Sequence, residues 1–286
     1  MQQDSIGGYR IQNLLHLGQN SQVFEVVEPV SMRHFAMKIL LPEAARKPEE
    51  RTVLFHEAEV GKKLAHQNVI RIISVNKNLE TPFFVMEFFP SGSLKVRIQK
   101  KDTAFVKENI DKIVKQAATG LAYMNASGWI HRDVKPDNIL VNALGETKLI
   151  DFAIAYQPPT GTLAKLFRKR GKAQGTRSYM SPEQIRGEVL DPRADVYSFG
   201  ATFYEMVTTR PPFRGKDSQD LLNKHITEKP VSPKLINADV SDDFNALLLQ
   251  MLNKKREDRP KDFHEVLMKL RSMRVFKTTV APRPSS

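Results

Sequence analysis

The rhythm of apolar and polar positions changes near residue 90. From Tyr9 to about Glu87 the pattern is strand-rich, with one helix. HFAMKIL, from His34 to Leu40, alternates well enough for a half-buried strand. LPEAARKP then breaks the pattern with prolines. A helical stretch follows from about Arg51 to Ala65 and ends in the polar turn HQN. Two more strand-like runs are Val69 to Val75 and Phe83 to Phe88. PSGSL, Pro90 to Leu94, reads as a turn. Beyond it, Ile110, Ile113, Val114, Ala117, Leu121 and Met124 recur at helical spacing and make one apolar face. Helical patterns return from Asp195 to Thr208, Asp242 to Leu252 and Asp262 to Met273. The closing VAPRPSS is rich in Pro and Ser and is expected to be disordered. The expectation is an α+β chain, strand-rich first and helix-rich afterwards, with a cleft between the two parts as the natural ligand site.

Composition narrows the chemistry. The chain has 286 residues, 41% of them hydrophobic and 27% charged. That is ordinary globular composition, with enough apolar mass for a core. Its formal net charge of +12 attracts phosphates, acidic peptides, nucleic acid or anionic lipid without choosing among them. There is no cysteine, so disulfides, thiolate nucleophiles and Cys-ligated zinc are excluded. The seven histidines are scattered, and none forms the His-Glu-x-x-His pattern of a zinc protease. The greasiest short run, Phe83 to Phe89, is interrupted by Glu87 and is too short to span a membrane. MQQDSIGGYR lacks the apolar stretch of a secretory signal. A soluble cytoplasmic protein is expected. No zinc-finger or RNA-recognition signature accompanies the positive charge, so no specific nucleic acid is expected as partner.

The most concentrated chemistry is HRDVKPDNIL, His131 to Leu140. Asp133 can accept a proton from a hydroxyl. Asn138, with Asp151 further on, offers hard oxygen ligands for Mg²⁺. Lys135 can neutralise a phosphoryl group in transfer. Lys38 is a cation on a strand, and Glu57, in the helix that follows, can hold it in place. Phosphoryl transfer needs such parts, because its catalysis is mostly positioning and charge neutralisation. Each residue also has a plainer explanation. Lys38 alone would be a surface lysine with a buried stem, and Glu57 a solvated helix charge. Met86 and Trp129 would be packing residues, and His131 a packed, hydrogen-bonded histidine. It is the order and spacing that favour the chemical reading.

FAMK, Glu57, HRDVKPDN, DFA and SPE, in that order, resemble the eukaryotic-type protein kinase family. YMSPEQIRGE, DVYSFG and EDRP extend the likeness, which is greatest to the bacterial Ser/Thr kinases of this type and covers residues from about 9 to 272. The resemblance implies a bilobal α+β fold: an N-lobe of a small antiparallel sheet with one main helix over about 9–87, a hinge over about 87–92 and a mostly helical C-lobe over about 93–272. Residues 1–8 would be an extension and 273–286 a disordered tail. It implies ATP with Mg²⁺, or Mn²⁺, as cofactors, and Ser/Thr hydroxyls of proteins as acceptors. Asp133 would be the catalytic base and Lys135 would touch the γ-phosphate. Lys38, paired with Glu57, would contact the α/β-phosphates. Asn138 and Asp151 would hold the metal. Leu17, Gly18, Asn20, Val23 and Ala36 would line the nucleotide site. Met86 would stand beside the adenine, which Glu87 and Phe89 would hydrogen-bond through their backbones. Glu183 would pair with Arg259, and Asp195 would anchor the catalytic loop. Lys135 together with Thr176 is the Ser/Thr-specific form of the pattern, with Thr176 bonded to Asp133 and Lys135 rather than phosphorylated.

Two stretches depart from the family pattern. LGQNSQVFEV stands where G-x-G-x-x-G-x-V is usual. Gly18 is present, and Asn20 takes the second glycine position. Without a gap Val23 takes the third. With a two-residue deletion Ser21 does, and Val23 then covers the adenine. The gapped form keeps the apolar rhythm of SQVFEV and is preferred. A lid poorer in glycine is expected to bind nucleotide more weakly. In DFA, Ala153 replaces glycine. A Cβ there restricts backbone switching but removes no metal ligand. KLFRKRGK, Lys165 to Lys172, carries five cations and no acid. It is either a solvated loop, a surface for acidic substrates or membrane, or a grip for phosphate on Thr160, Thr162 or Thr176 aided by Arg132. Autophosphorylation within residues 160–176 is expected. The alternative to an active kinase is a pseudokinase scaffold that holds nucleotide weakly.

Overall fold

Strands and turns near the N-terminus follow from glycine placement. In the computed structural model, which describes residues 5–158 and 174–278, β1 (Ser5–Ile6) pairs antiparallel with β2 (Tyr9–Leu17). Gly7 and Gly8 join them at φ +56° and +85°, as a two-residue hairpin turn demands. Residues 5–8 are therefore part of the sheet, which corrects the expected extension over 1–8. β3 (Ser21–Val27), β4 (His34–Leu40), β5 (Ile72–Asn76) and β6 (Phe83–Glu87) complete an antiparallel sheet in the order β1-β2-β3-β4-β6-β5. Val69 and Ile70 are buried but precede β5.

The half-buried reading of HFAMKIL is corrected, because β4 is central and covered on both sides. Phe35, Met37 and Ile39 pack with Val26, Phe83 and Val85. Leu40 packs on the other side with Leu54, Ala58, Ile72 and Phe84. Lys38 has the parity of Leu40 and so faces that second cluster. α1 (Pro42–Ala45) is a short helix inside the expected break. α2 (Pro48–Lys63) begins three residues before the expected Arg51. Proline at its first position and Glu49 and Glu50 in its first turn favour that start, and Lys62 and Lys63 close it.

These elements, with Asp151–Ala153, form one compact unit that runs to Pro90; Ser91–Ile150 and the chain from Ile154 onward form the other. In the second, β7 (Gly92–Ser93), β8 (Ile139–Val141) and β9 (Thr147–Leu149) make a small antiparallel sheet. The rest is mainly helical: α3 (Leu94–Gln99), α4 (Thr103–Ala126), α5 (Pro182–Ile185), α6 (Arg193–Thr208), α7 (Ser218–Thr227), α8 (Pro233–Ile236), α9 (Asp242–Met251) and α10 (Phe263–Leu270). α4 buries the stripe from Ile110 to Met124. Every residue of α6 after Arg193 is buried, which marks a helix inside the core rather than on it. None of the described helices is long and apolar enough to cross a membrane.

The tail expected from residue 273 is also corrected. Val275 and Phe276 are buried. The Val275 N–H donates to Asp111 at 2.8 Å, and its carbonyl accepts from the Ser241 N–H at 2.9 Å. VAPRPSS lies outside the described residues, as do Thr160, Thr162 and Lys165 to Lys172.

Candidate active site

In the first unit, the register of β4 sets Lys38 opposite Val23 on β3 and Phe84 on β6. α2 brings Glu57 over it, with Lys38 Nζ 2.6 Å from Glu57 Oε2. Glu57 is only 5% exposed, so this is a buried pair and not a solvated helix charge. Burial pushes the Lys38 ammonium down, but Glu57 and Asp151 outweigh it and hold it above the usual lysine value. Burial pushes the Glu57 carboxyl up, the neighbouring Asp151 carboxylate adds to this, and Lys38 opposes it. One ammonium thus serves two carboxylates. Asp151 has φ +66°, while Ala153 is not among the non-glycine residues of positive φ. The Cβ of Ala153 therefore sits in backbone geometry that any L residue adopts.

The nucleotide-loop residues lie along the β2–β3 hairpin. Leu17 pairs with Gln22, and the three-residue connection Gly18–Asn20 is closed by a Gly18 N–H to Ser21 carbonyl bond of 2.9 Å. The Asn20 carbonyl accepts from the Leu41 N–H at 2.9 Å. Ala36 is buried and pairs with Met86 across β4 and β6. Phe89 is half-buried just past β6. The Glu87 N–H donates to the Arg71 carbonyl at 2.9 Å.

In the second unit, α6 organises the loop that carries Asp133. Asp195, wholly buried, accepts the His131 N–H at 2.8 Å on Oδ2 and the Arg132 N–H at 2.9 Å on Oδ1. Burial drives its carboxyl up against the pull of these donors. The two bonds hold Arg132 at φ +68°. His131 is 1% exposed, and its Nε2 lies 3.1 Å from the Ile150 carbonyl, so it is packed and bonded. Asp133 is the hub. Lys135 Nζ is 2.6 Å from its Oδ2. Thr176 donates to Oδ1 from both N–H and Oγ1, each at 2.9 Å, and Lys135 donates to Thr176 Oγ1 at 2.8 Å. Burial pushes the Asp133 carboxyl up, but Lys135 and Thr176 prevail and hold it below the ordinary aspartate value. Asp133 therefore stands as a carboxylate at neutral pH.

Asn138 donates from Nδ2 to the Asp133 carbonyl at 2.9 Å and to its carboxylate at 3.1 Å. That commitment turns its amide oxygen into the available hard donor. Among the described residues no three His, Asp or Glu side chains cluster with metal-ligand spacing.

Some supporting groups escaped the reading of the sequence. Gln184 Nε2 donates to the Arg132 carbonyl at 2.8 Å. Ser181 and Gln184 form a reciprocal capping box on α5; the signal was present, since S-x-x-Q is a helix-start signature. Tyr179 donates to Glu205, which also accepts from Lys95 at 2.7 Å. No local pattern announces that trio, whose members come from three separate segments. The buried Glu183–Arg259 pair is bidentate, at 2.7 and 2.9 Å.

The chain was compared with known proteins. The sequence profile of the protein kinase domain matches residues 9–270. A probable serine/threonine-protein kinase of Clostridium acetobutylicum is 30% identical over 266 residues, covering 93% of this chain and 40% of the relative. The serine/threonine-protein kinase PknB of Mycobacterium leprae is 32% identical over 256 residues, 88% of this chain and 40% of that protein. A probable serine/threonine-protein kinase of Streptomyces coelicolor is 27% identical over 257 residues, 88% and 38% respectively. The chain spans about 40% of the length of these curated relatives. With a lysine–glutamate pair on its sheet and an aspartate hub braced by lysine, threonine and asparagine in its helical unit, the chain belongs to the protein kinase domain family.

Proposed function

We propose that the protein transfers the γ-phosphoryl group of ATP to Ser or Thr hydroxyls of protein substrates. The observation that carries this reading is the Asp133–Lys135–Thr176 network, in which an ionised carboxylate is fixed by donors from Lys135 and Thr176, with Asn138 adding another. Asp133 would orient the incoming hydroxyl and take its proton as oxygen bonds to the γ-phosphorus and the β–γ bridge breaks. Lys135, already 2.6 Å from Asp133, would offset charge on the group in transfer. Lys38, steadied by Glu57, would hold the α/β-phosphates. Leu17, Gly18, Asn20, Val23, Ala36, Met86, Glu87 and Phe89 would form the nucleotide site. Asn138 and Asp151 would hold Mg²⁺, or Mn²⁺, which when bound supplies charge neutralisation on the triphosphate.

Acceptor choice follows from the same network. Lys135 together with Thr176 is the family's Ser/Thr-specific form, and Thr176 is occupied by structural bonds. Autophosphorylation then falls on other hydroxyls of the 160–176 segment, beside its run of cations. The test is incubation of purified protein with labelled ATP and Mg²⁺. Self-labelling on Ser or Thr is expected, with phosphopeptides mapping to 160–176. Asp133→Asn should lower it by roughly 100-fold or more, the scale of general base catalysis. Thermal stabilisation by nucleotide without any transfer would instead assign a binding module.

A further inference from the structure

Lys254 lies in the second unit, just past α9, and phosphoryl transfer makes no use of it. Its Nζ donates to the His225 carbonyl at 2.9 Å and to the Lys224 carbonyl and the Tyr197 hydroxyl oxygen at 3.4 Å each. The ring of Phe213 lies beside it, with the centroid 4.1 Å away. No carboxylate of the described residues lies within 4.0 Å of this ammonium. The side chains that face it bring no negative charge at neutral pH. Burial pushes His225 down to about 3 and the Tyr197 hydroxyl well up. Burial and the nearby Arg259 guanidinium push Lys254 down to about 7, and the more remote Glu228 carboxylate offsets only part of this. A large share of Lys254 is therefore free amine, a nucleophile, at neutral pH.

Lys254 also lines a surface cavity of about 220 Å³, together with Arg186, Lys255, Arg256, Glu183, Glu188 and Glu257. Glu183 is spent on Arg259, and Arg256 on Glu188 at 2.5 Å. Arg186 and Lys255 are exposed, and Arg186 comes no nearer to Glu188 than 3.8 Å. Glu257 is the one acid of the lining left against them, so the rim carries an excess of positive charge. We propose that Lys254 is an acylation site whose reagent is a small acyl phosphate, drawn into the cavity by Arg186 and Lys255. The Nζ lone pair adds to the acyl carbon, the bond from that carbon to the bridging oxygen breaks, and phosphate leaves with the electron pair. The surplus proton on nitrogen goes to the departing phosphate. An amide and inorganic phosphate result, and no oxidant or further reactant is needed. The amide keeps one N–H where the ammonium has three. It cannot serve both carbonyls of the last turn of α7, and that helix end loses the cation its dipole favours. Acylation thus loosens the end of a helix whose Ser218 accepts from Arg177 at 2.8 Å.

The test treats the full chain with acetyl phosphate, with a short lysine peptide in the same tube, and reads each amine by mass spectrometry. At pH 7 Lys254 should react at least about tenfold faster than the peptide. The neutral fractions differ by roughly 1,000-fold, and the lower basicity of Lys254 takes back part of that. The Lys254 rate should level off by about pH 8, while the rate of the peptide keeps rising toward its ordinary value of about 10.4. Arg186→Ala combined with Lys255→Ala should cut the Lys254 rate severalfold with acetyl phosphate, and leave it unchanged with uncharged acetic anhydride. Amide hydrogen exchange over residues 224–228 should rise on acylation. Lys254→Arg, which keeps a cation on the α7 carbonyls, should show no rise under the same treatment. A Lys254 that reacts no faster than the peptide overturns the proposal, as does a rate with acetyl phosphate that survives the double substitution. Exchange that stays unchanged in the acylated protein overturns the link to α7.

Discussion

Arg259 carries its positive charge into a site where it is 4% exposed, and Glu183 meets it there at 3% exposure. The guanidinium is fully engaged: two bonds go to Glu183 and others to the carbonyls of Asn253, Arg193 and Lys254. A pair of this kind adds little over an apolar replacement, but half of it is costly. Glu183→Ala should therefore destabilise by about 3–5 kcal/mol, read as a lower urea midpoint. Glu183→Gln, which keeps an acceptor oxygen, should cost clearly less. Equal losses in the two variants would mean that the uncompensated charge is not the cause. The sequence made this pair legible only through the family resemblance, because a lone Glu and a lone Arg 76 positions apart have no local reason to meet. Thr176 is a similar case. Apart from the family resemblance its hydroxyl reads as one more loop threonine, and the fold sets it 2.9 Å from Asp133.

Among the elements, α5, four residues long like α1 and α8, reaches the loop that carries Asp133. α5 starts with Pro182 and is capped reciprocally by Ser181 and Gln184. Gln184 then uses its Nε2 on the Arg132 carbonyl, 52 residues away in sequence. Removing that side chain takes away one half of the capping box and leaves the Arg132 carbonyl without this donor. Gln184→Ala should destabilise by about 1–3 kcal/mol and lower kcat more than KM for ATP, as measured by urea unfolding and steady-state kinetics. An unchanged kcat with reduced stability would restrict Gln184 to capping. α2 shows which part of an element a sequence carries. Its existence was plain from apolar spacing. Its start at Pro48 was less plain, because a proline reads as a break until it is seen at the first helical position. The centrality of β4 was hidden for another reason: strand order decides whether one face or two are covered.

Taken whole, the protein keeps a neutral histidine deep in its helical unit. His225 has no exposed surface, its Nδ1 lies 3.0 Å from the Tyr197 hydroxyl, and Phe213 packs against its ring. Burial, with the Lys254 ammonium beside it, pushes its pKa down to about 3 from 6.5. The folded value lies below the unfolded one, so the unfolded chain binds this proton first as pH falls. The contribution to stability is complete above about pH 6.5 and is lost between there and about pH 3. His225→Asn, which keeps an acceptor for Tyr197, should flatten the fall of the urea midpoint across that window. Curves that stay parallel to wild type would assign acid sensitivity to other groups.

The sequence by itself determined the chemistry available to this protein: no thiol, a basic surface, and a lysine, two aspartates and an asparagine at kinase spacing. It also determined the succession of strands and helices, because periodicity and turn residues act over a few neighbours along the chain. Only the tertiary structure decided which groups are buried and which partner each one takes. Lys38 faces Glu57 because β4 is central, and Asp133 is held by Thr176 and its loop by Asp195 and Gln184. Desolvation and contact depend on residues distant in sequence arriving at one place, and no local window contains that information.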